Sequence, residues 1–263
     1  MMESKMKKGF VNRSPLVLAV LIFSLIISSN TFAGSKHHKG HWSYEGETGP
    51  EHWGELSEKF EACSKGKSQS PIDITAAAVG GRGKVEFNYS PSRIKILNNG
   101  HAIQVNYDKG SYIKVGGKRY DLLQFHFHAP SEHTVAGKHS DIEMHLVHKS
   151  KKGELAVVGV LIDKGEMNGA YKDVWAGLPE KEGKEMALKA TVNAFELLPA
   201  KKIYYSYSGS LTTPPCSENV SWFVMKTPVK LSGDQIKAFT EIMHGDNRPT
   251  QPLHGRKVTQ SKD

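Results

Sequence analysis

The chain has 263 residues, of which 38% are hydrophobic, 9% aromatic and 24% charged. These ordinary globular values exclude a disordered chain, a collagen-like fibre and a small disulfide-dense scaffold, and the length favours one large domain. The formal net charge is +8. Because the lysines are scattered among acidic residues and glycines, this charge indicates a solvated basic surface, and we expect no nucleic-acid partner.

The first 33 residues have the features of a secretory signal peptide. Basic residues come first, an apolar run follows from Leu16 to Ile27, and Thr31-Phe32-Ala33 offers small residues for cleavage. An uncleaved anchor is the alternative, but an apolar centre of about 12 residues is shorter than the roughly 20 needed to span a membrane. We therefore expect residues 34–263 to be one exported domain, periplasmic or secreted and free of the membrane. Its net charge would be +5, because the signal carries four basic residues and one acidic residue.

A mainly β fold is predicted by short alternating apolar runs between Lys84 and Lys164, which glycine-containing turns separate. The clearest runs are AIQVNY (102–107), YIKVGG (112–117), LLQFHFH (122–128), IEMHLVH (142–148) and LAVVGVLI (155–162). Helical spacing occurs only at 167–177 and from Ser232, where Gln235 completes a capping box. Helices are therefore expected to lie on the surface of a sheet.

Two histidines one residue apart interrupt the third of these runs. Residues two apart on a strand share a face, so His126 and His128 lie together with Gln124, while the intervening phenylalanines face the core. A single metal ion can use two adjacent imidazoles, whereas a hydrophobic core cannot. Hydrogen-bonded structural histidines are the alternative interpretation.

The next strand offers a third imidazole, His145. An antiparallel pairing would place it opposite the first two, and three neutral histidines with an open fourth position are typical of a catalytic zinc site. Gln124 and Glu143 each stand two residues before a histidine on the same face, so they are candidates to hold the second ring nitrogen. We expect the remaining histidines of this region, His133, His139 and His148, not to bind metal.

Two cysteines, Cys63 and Cys216, follow the signal. In an exported protein one disulfide is the simplest interpretation. Two unpaired buried thiols are the alternative, and the spacing alone does not decide between them.

Seven motifs are spread along nearly the whole length of the mature sequence. They are HWSYEGETGPEHWGEL (41–56), QSPIDI (69–74), NNGHAIQV (98–105), LLQFHFHAPSEHTVAG (122–137), IEMHLVH (142–148), SLTTPPCSENVSW (210–222) and NRPTQPLHGR (247–256). In this order they resemble the α-class carbonic anhydrases. The resemblance implies a large twisted, mostly antiparallel central sheet with a few surface helices, and a conical cavity that ends at zinc.

The resemblance also implies how a reaction would proceed. His126, His128 and His145 become the Zn²⁺ ligands, with Gln124 and Glu143 holding them. Zinc lowers the pKa of its bound water to about 7, a value established on carbonic anhydrases themselves, and the zinc-bound hydroxide attacks carbon dioxide to give bicarbonate.

Further roles are implied residue by residue. Thr212 would accept a hydrogen bond from the hydroxide and donate one to Glu132, and His101 would pass the proton to buffer. The wall that receives carbon dioxide would comprise Val147, Val157, Leu211, Trp222 and Thr213. Ordered water would contact Tyr44, Asn99 and Gln104. A disulfide between Cys63 and Cys216 matches exported bacterial members, and the protein would be a monomer or a homodimer.

Two departures from the family pattern are modest. Asp246 stands where the family often has Asn, but the implied contact uses a main-chain carbonyl, so no loss is expected. Gln104 replaces an Asn that is common in animal members, which would change the order of water.

Three other interpretations are less consistent with the sequence. A cupin would share His126, His128 and Glu132, but its glycine comes early at Gly137 and its second motif is missing. A metallo-β-lactamase needs an aspartate where Pro130 stands. An exported zinc-binding or adhesion protein on the same fold would bind metal without turnover, and the intact set of implied catalytic residues weighs against it.

Overall fold

The computed structural model describes residues 40–80 and 83–262, so the predicted signal peptide and its cleavage site lie outside the described residues. The strands are β1 Asp73–Ile74, β2 Ala78–Val79, β3 Val85–Asn88, β4 Ser92–Asn98, β5 Ile103–Asn106, β6 Tyr112–Val115, β7 Lys118–His128, β8 Thr134–Val135, β9 Lys138–His139, β10 Ile142–Ser150, β11 Leu155–Lys164, β12 Met186–Val192, β13 Tyr204–Ser210, β14 Glu218–Met225, β15 Val229–Leu231 and β16 Thr259–Gln260. The α-helices are α1 Trp53–Leu56, α2 Ala62–Lys65, α3 Lys172–Trp175 and α4 Gly233–Thr240, and 3-10 turns span Gly46–Thr48, Glu58–Phe60 and Gly169–Tyr171.

Thirteen of the described strands form one large sheet. Its main order is β12-β4-β5-β7-β10-β11-β14-β13-β16-β2, with β15 on β11 and the β3-β6 pair on β7. Among the described residues, every pairing in it is antiparallel except β11 with β14, β11 with β15 and β16 with β2. The predicted mainly β fold with a large, mostly antiparallel sheet and few helices is confirmed.

Alternation along β7 and β10 separates the two faces of the sheet. Phe125 and Phe127 are fully buried in the main core, together with Met144 and Leu146 from β10. The histidines between them therefore face the other side, as a period of two residues requires. The register of β10 against β7 shifts between Val147 and His148, because Leu123 is an extra residue on β7, but the alternation along β10 continues to Ser150.

The helices are shorter than the hydrophobic pattern predicted. The segment expected at 167–177 forms the 3-10 turn Gly169–Tyr171 followed by α3. The capping box at the start of α4 is present, because Ser232 accepts from the Gln235 amide while the Gln235 side chain accepts from the Ser232 amide. In the described part of the chain, none of the helices has the length and apolar character that a membrane crossing requires.

Candidate metal centre

The central strands bring together the three histidines that the sequence singled out. His126 and His128 lie on β7, and His145 on β10 pairs directly opposite His126. One ring nitrogen from each of the three lies within 4.8 Å of the others. The antiparallel pairing that the sequence predicted is therefore what makes the cluster.

A separate partner holds the second nitrogen of each imidazole. Nδ1 of His126 is 2.9 Å from Oε1 of Gln124, and Nε2 of His145 is 2.9 Å from Oε1 of Glu143. Nδ1 of His128 donates to the main-chain oxygen of Asp246 at 2.7 Å. These contacts leave Nε2 of His126, Nε2 of His128 and Nδ1 of His145 for a common ligand.

The chemistry of this donor set fits a zinc ion. Nε2 of His128 is buried and has no hydrogen-bond partner among the described residues, although a buried polar atom is rarely left unsatisfied. Three imidazoles without a cysteine leave a fourth tetrahedral position open, which is typical of catalytic zinc. The structural contacts on the opposite nitrogens fix the tautomers that such binding needs.

Charges around the cluster affect the three imidazoles differently. Burial, with the neighbouring histidines, lowers the pKa of His126 well below its ordinary value, and burial also lowers the pKa of His145. Burial opposes the charged form of His128 as well, but the carboxylates of Glu132 and Asp246 outweigh it and raise its pKa. Because a metal binds only the neutral ring, His128 is the ligand that protons compete for most strongly.

A buried network behind His145 was missed by sequence reasoning. Oε1 of Glu143 accepts from Nδ1 of His133 at 2.7 Å, and Oε2 accepts from the His133 amide at 2.7 Å. Nε2 of His133 in turn accepts from the Tyr207 hydroxyl at 2.6 Å, and Ser70 lies 2.8 Å beyond that hydroxyl. Burial raises the pKa of Glu143, but the charges and hydrogen bonds of His133 and His145 lower it well below its ordinary value.

The hydrogen bonds of this network argue against a second metal site next to the first. His133, Glu143 and His145 place ligand atoms close together. However, both oxygens of Glu143 already accept hydrogen bonds, and both ring nitrogens of His133 have partners. Gly159 lies opposite His145, and a Cβ there would stand 2.9 Å from Oε1 of Glu143. Only glycine at this position therefore leaves room for the carboxylate.

Glu132 lies beside the ligand cluster with one oxygen unpartnered. Its Oε1 accepts from the Arg248 amide at 2.9 Å. Its buried Oε2 has no hydrogen-bond partner among the described residues and lies 3.7 Å from Nε2 of His128 and 3.8 Å from Nδ1 of His145. The hydrogen bond expected from Thr212 to Glu132 is therefore not formed, because Oε2 faces the free imidazole nitrogens while Oε1 is bound by Arg248. Thr212 itself is buried.

Arg248 is another residue that the sequence did not single out. Its fully buried guanidinium donates to Gln69, to the main-chain oxygen of Ser70 and to that of Cys63. Burial lowers its pKa to about 10. The NRP stretch gave no local signal for this role, because its partners lie about 180 residues away in the chain.

The expected apolar wall is assembled on the same side of the sheet. Val157 pairs with Val147 on β10 and with Trp222 on β14. Val157 and Trp222 belong to one buried hydrophobic cluster, against which Val147 and Leu211 pack. Thr213 is half-buried in the loop after β13, where its carbonyl accepts from the Cys216 amide at 2.8 Å.

The residues expected to order water lie in two places. Asn99 uses its side chain to accept from the amides of His101 and Ala102. Gln104 pairs with His126 across the strands and donates to Asn106 at 2.7 Å. Burial, followed by the charges of Glu132 and Asp246, raises the pKa of Tyr44 well above its ordinary value, and the Tyr44 hydroxyl has no partner among the described residues.

The disulfide between Cys63 and Cys216 is confirmed, with the two Cα atoms 5.0 Å apart. It joins α2 to the loop that carries Thr212 and Thr213.

Asp246 is buried beside His128. Burial raises the pKa of the Asp246 carboxyl to about 6, and its Oδ1 accepts a hydrogen bond from the Ala129 amide.

Known proteins share this sequence and this fold. A family described as eukaryotic-type carbonic anhydrase matches residues 48–262. Carbonic anhydrase from Nostoc sp. is 41% identical over 251 residues, covering 93% of this chain and 95% of the relative. Carbonic anhydrase from Klebsiella pneumoniae is 46% identical over 221 residues, covering 83% and 90%.

A solved structure agrees with these relatives. The α-carbonic anhydrase from Thermovibrio ammonificans, in complex with the inhibitor sulfanilamide, has a TM-score of 0.81 and 47% identity, covering 84% of this chain and 99% of that one. Since the family match spans most of the chain and the relatives exceed 40% identity over most of their length, this chain belongs to the α-carbonic anhydrase family of carbon dioxide-hydrating enzymes.

Proposed function

We propose that the protein catalyses the reversible hydration of carbon dioxide to bicarbonate and a proton at Zn²⁺ held by His126, His128 and His145. The observation that carries this proposal is the convergence of three imidazole nitrogens whose opposite nitrogens are all held. Zinc bound there would act as a Lewis acid that lowers the pKa of water, so that a hydroxide nucleophile is available near neutral pH.

Glu132 and Thr212 are proposed to orient the nucleophile. Oε2 of Glu132 is a buried acceptor without a partner, beside the free nitrogens of two ligands. A hydroxyl at Thr212 that donates to this oxygen would keep its own lone pair for the attacking group, which restricts the direction of attack.

Carbon dioxide has no charge or hydrogen-bond donor, so its site should be apolar. Val147, Val157 and Trp222 line the face of the sheet beside His145, and Leu211 packs against them. This wall excludes water from one side of the ligand cluster, and Thr213 would add a polar edge. The product bicarbonate is charged and leaves an apolar wall readily.

His101 is proposed to carry the proton from the site to buffer. It is half-buried at the end of the turn between β4 and β5. Imidazole is suited to this step because it titrates near neutral pH. Tyr44, Asn99 and Gln104 would order the water between it and the metal site.

We also propose that residues 1–33 direct export and are removed, leaving a periplasmic or secreted monomer or homodimer. The disulfide supports an oxidising compartment.

Stopped-flow hydration of carbon dioxide with a pH indicator tests the proposed function. Residues 34–263 are measured as purified, after zinc removal by a chelator and after zinc is added back, with His145→Ala as the matched variant. We expect fast turnover that disappears with the metal, returns with it and is lost in the variant. Bound zinc with turnover no faster than the buffer blank would contradict the proposal and favour a zinc-binding protein without activity.

A further inference from the structure

The turn that carries His101 is held rigidly. Oδ1 of Asn99 accepts from the amides of His101 at 2.9 Å and Ala102 at 2.8 Å, and the Asn99 amide donates to the carbonyl of Ala102. The imidazole of His101 stacks on Trp42 with ring centroids 3.7 Å apart and an angle of 11°. One face of the ring is therefore shielded from water, and this loss of hydration opposes the charged imidazolium.

A second loop is bonded to this turn on two sides. The Gly183 amide donates to the carbonyl of Asn98 at 3.0 Å, and the Asn98 side chain donates to the carbonyl of Pro179 at 3.4 Å. These two bonds bracket Glu182 in the chain. The segment from Pro179 to Gly183 therefore has a defined place beside His101.

The Glu182 carboxylate lies directly over Gly100, the residue before His101. A Cβ at position 100 would stand 3.0 Å from Oε2 and 3.1 Å from Cδ of Glu182. Gly100 also has φ of +84°, a conformation that favours glycine. Glycine is thus required here both for the turn and for the close approach of this carboxylate.

The charged groups that face His101 act in opposite directions. Burial and the neighbouring His41 lower the pKa of His101, while Glu182 is the group that raises it. No ion pair neutralises Glu182 within residues 40–80 and 83–262. Glu185, the carboxylate farther along the same loop, instead accepts a hydrogen bond from Asn106 at 2.6 Å.

We propose that Glu182 is a positioning residue for proton export, whose unpaired carboxylate over Gly100 stabilises the imidazolium of His101 against the loss of hydration that burial causes. This inference rests on the proposed shuttle role of His101. A shuttle must accept a proton near the working pH, so a ring that burial makes too weak a base would pass protons slowly. Glu182 corrects this imbalance without touching the reacting atoms.

The experiment compares Glu182→Gln with Glu180→Gln in the zinc-loaded enzyme. Both variants remove one negative charge from the same exposed loop, but only the first removes the carboxylate over Gly100. The pKa of His101 is measured by NMR titration of its imidazole at low salt. We expect a fall of about 0.3 to 0.5 pKa unit in Glu182→Gln, the size of a unit charge at short range in exposed surroundings, and less than about 0.1 unit in Glu180→Gln.

Kinetics provide a second readout. In Glu182→Gln, the pH profile of turnover at low buffer concentration should move to lower pH by the same amount, while kcat/KM is unchanged because hydration of bound substrate does not involve His101. About 1 M NaCl should abolish the difference from the unmodified enzyme, since the Debye length is then about 3 Å.

Two results would overturn the inference: an unchanged pKa of His101 in Glu182→Gln, or an equal shift in both variants. The failure of the shuttle role itself is recognised separately, with His101→Ala. If that variant keeps full turnover at low buffer concentration, the proposed export route is wrong, while the NMR titration still decides whether Glu182 controls the proton affinity of His101.

Discussion

Removal of the disulfide is expected to lower the free energy of unfolding by about 5 kcal/mol. The bridge joins residues separated by 153 positions. For a loop of that length the chain-entropy relation gives an entropy difference of about 17 cal/mol/K in the unfolded state, or about 5 kcal/mol at 25 °C. Because small domains are stable by only about 5 to 15 kcal/mol, Cys63→Ala/Cys216→Ala should lose a large fraction of its stability.

The same change should reach the metal centre through Arg248. The carbonyl of Cys63 accepts from the Arg248 guanidinium at 2.8 Å, and the Arg248 amide holds Oε1 of Glu132. Loss of the bridge lets the carbonyl move, which leaves a buried guanidinium short of one acceptor. We therefore expect turnover of the double variant to fall at temperatures below its unfolding transition.

Urea unfolding at 25 °C measures the effect on the zinc-loaded oxidised enzyme, the reduced enzyme and the double variant. Ser64→Ala is the matched control, because Ser64 stands beside the same cysteine and, in the part of the chain that the structure describes, its exposed hydroxyl bonds only to the carbonyl of Glu61. The control should differ from the unmodified enzyme by less than about 0.5 kcal/mol. A loss below about 1 kcal/mol in the double variant would refute the reasoning, since the bridge would then not restrict the unfolded chain.

Two further predictions concern acid stability and the substrate wall. Burial lowers the pKa of His148 to about 3, so unfolding takes up a proton between about pH 6.5 and 3 and the free energy of unfolding falls as the pH falls, by at most about 5 kcal/mol. Urea unfolding from pH 7 to 4 checks this, and His148→Asn should show a shallower dependence; equal slopes would contradict it. Val157→Phe should lower kcat/KM for carbon dioxide at least about tenfold with zinc content unchanged. The reason is that the phenyl ring is larger than the valine side chain and would occupy the substrate space beside His145. Stopped flow and metal analysis measure both quantities, and an unchanged kcat/KM would show that the substrate lies elsewhere.

Local patterns predicted five of the thirteen described strands of the central sheet, including the two that carry the histidines. All five strands expected from alternation are present, as is the capping box that starts α4. The pairing of His145 with His126 also followed from the sequence, because a strand, a connection and a second strand with matching apolar faces leave few arrangements. Helix lengths were predicted less well, since apolar spacing continues past the residues that tertiary packing keeps helical.

The surroundings of the site depended on contacts that no local pattern encodes. The amide of Arg248 reaches Glu132 from a segment 116 residues later in the chain, and His133 is fully buried although it lies in a connection between strands. Alternation along β10 places His148 on the core side, but its partner there, the Tyr89 hydroxyl, comes from a segment 59 residues earlier in the chain.

The sequence by itself determined which residue types face which side of each strand, because side-chain direction alternates with a fixed period of two. That alternation, with the order of the motifs, was sufficient to predict the family and the three imidazoles of His126, His128 and His145. Only the tertiary structure decided which acceptors hold them, that Oε2 of Glu132 is left without a partner, and that Glu182 lies over Gly100. These contacts join segments far apart in the chain, so their geometry depends on the packing of the whole sheet and its loops.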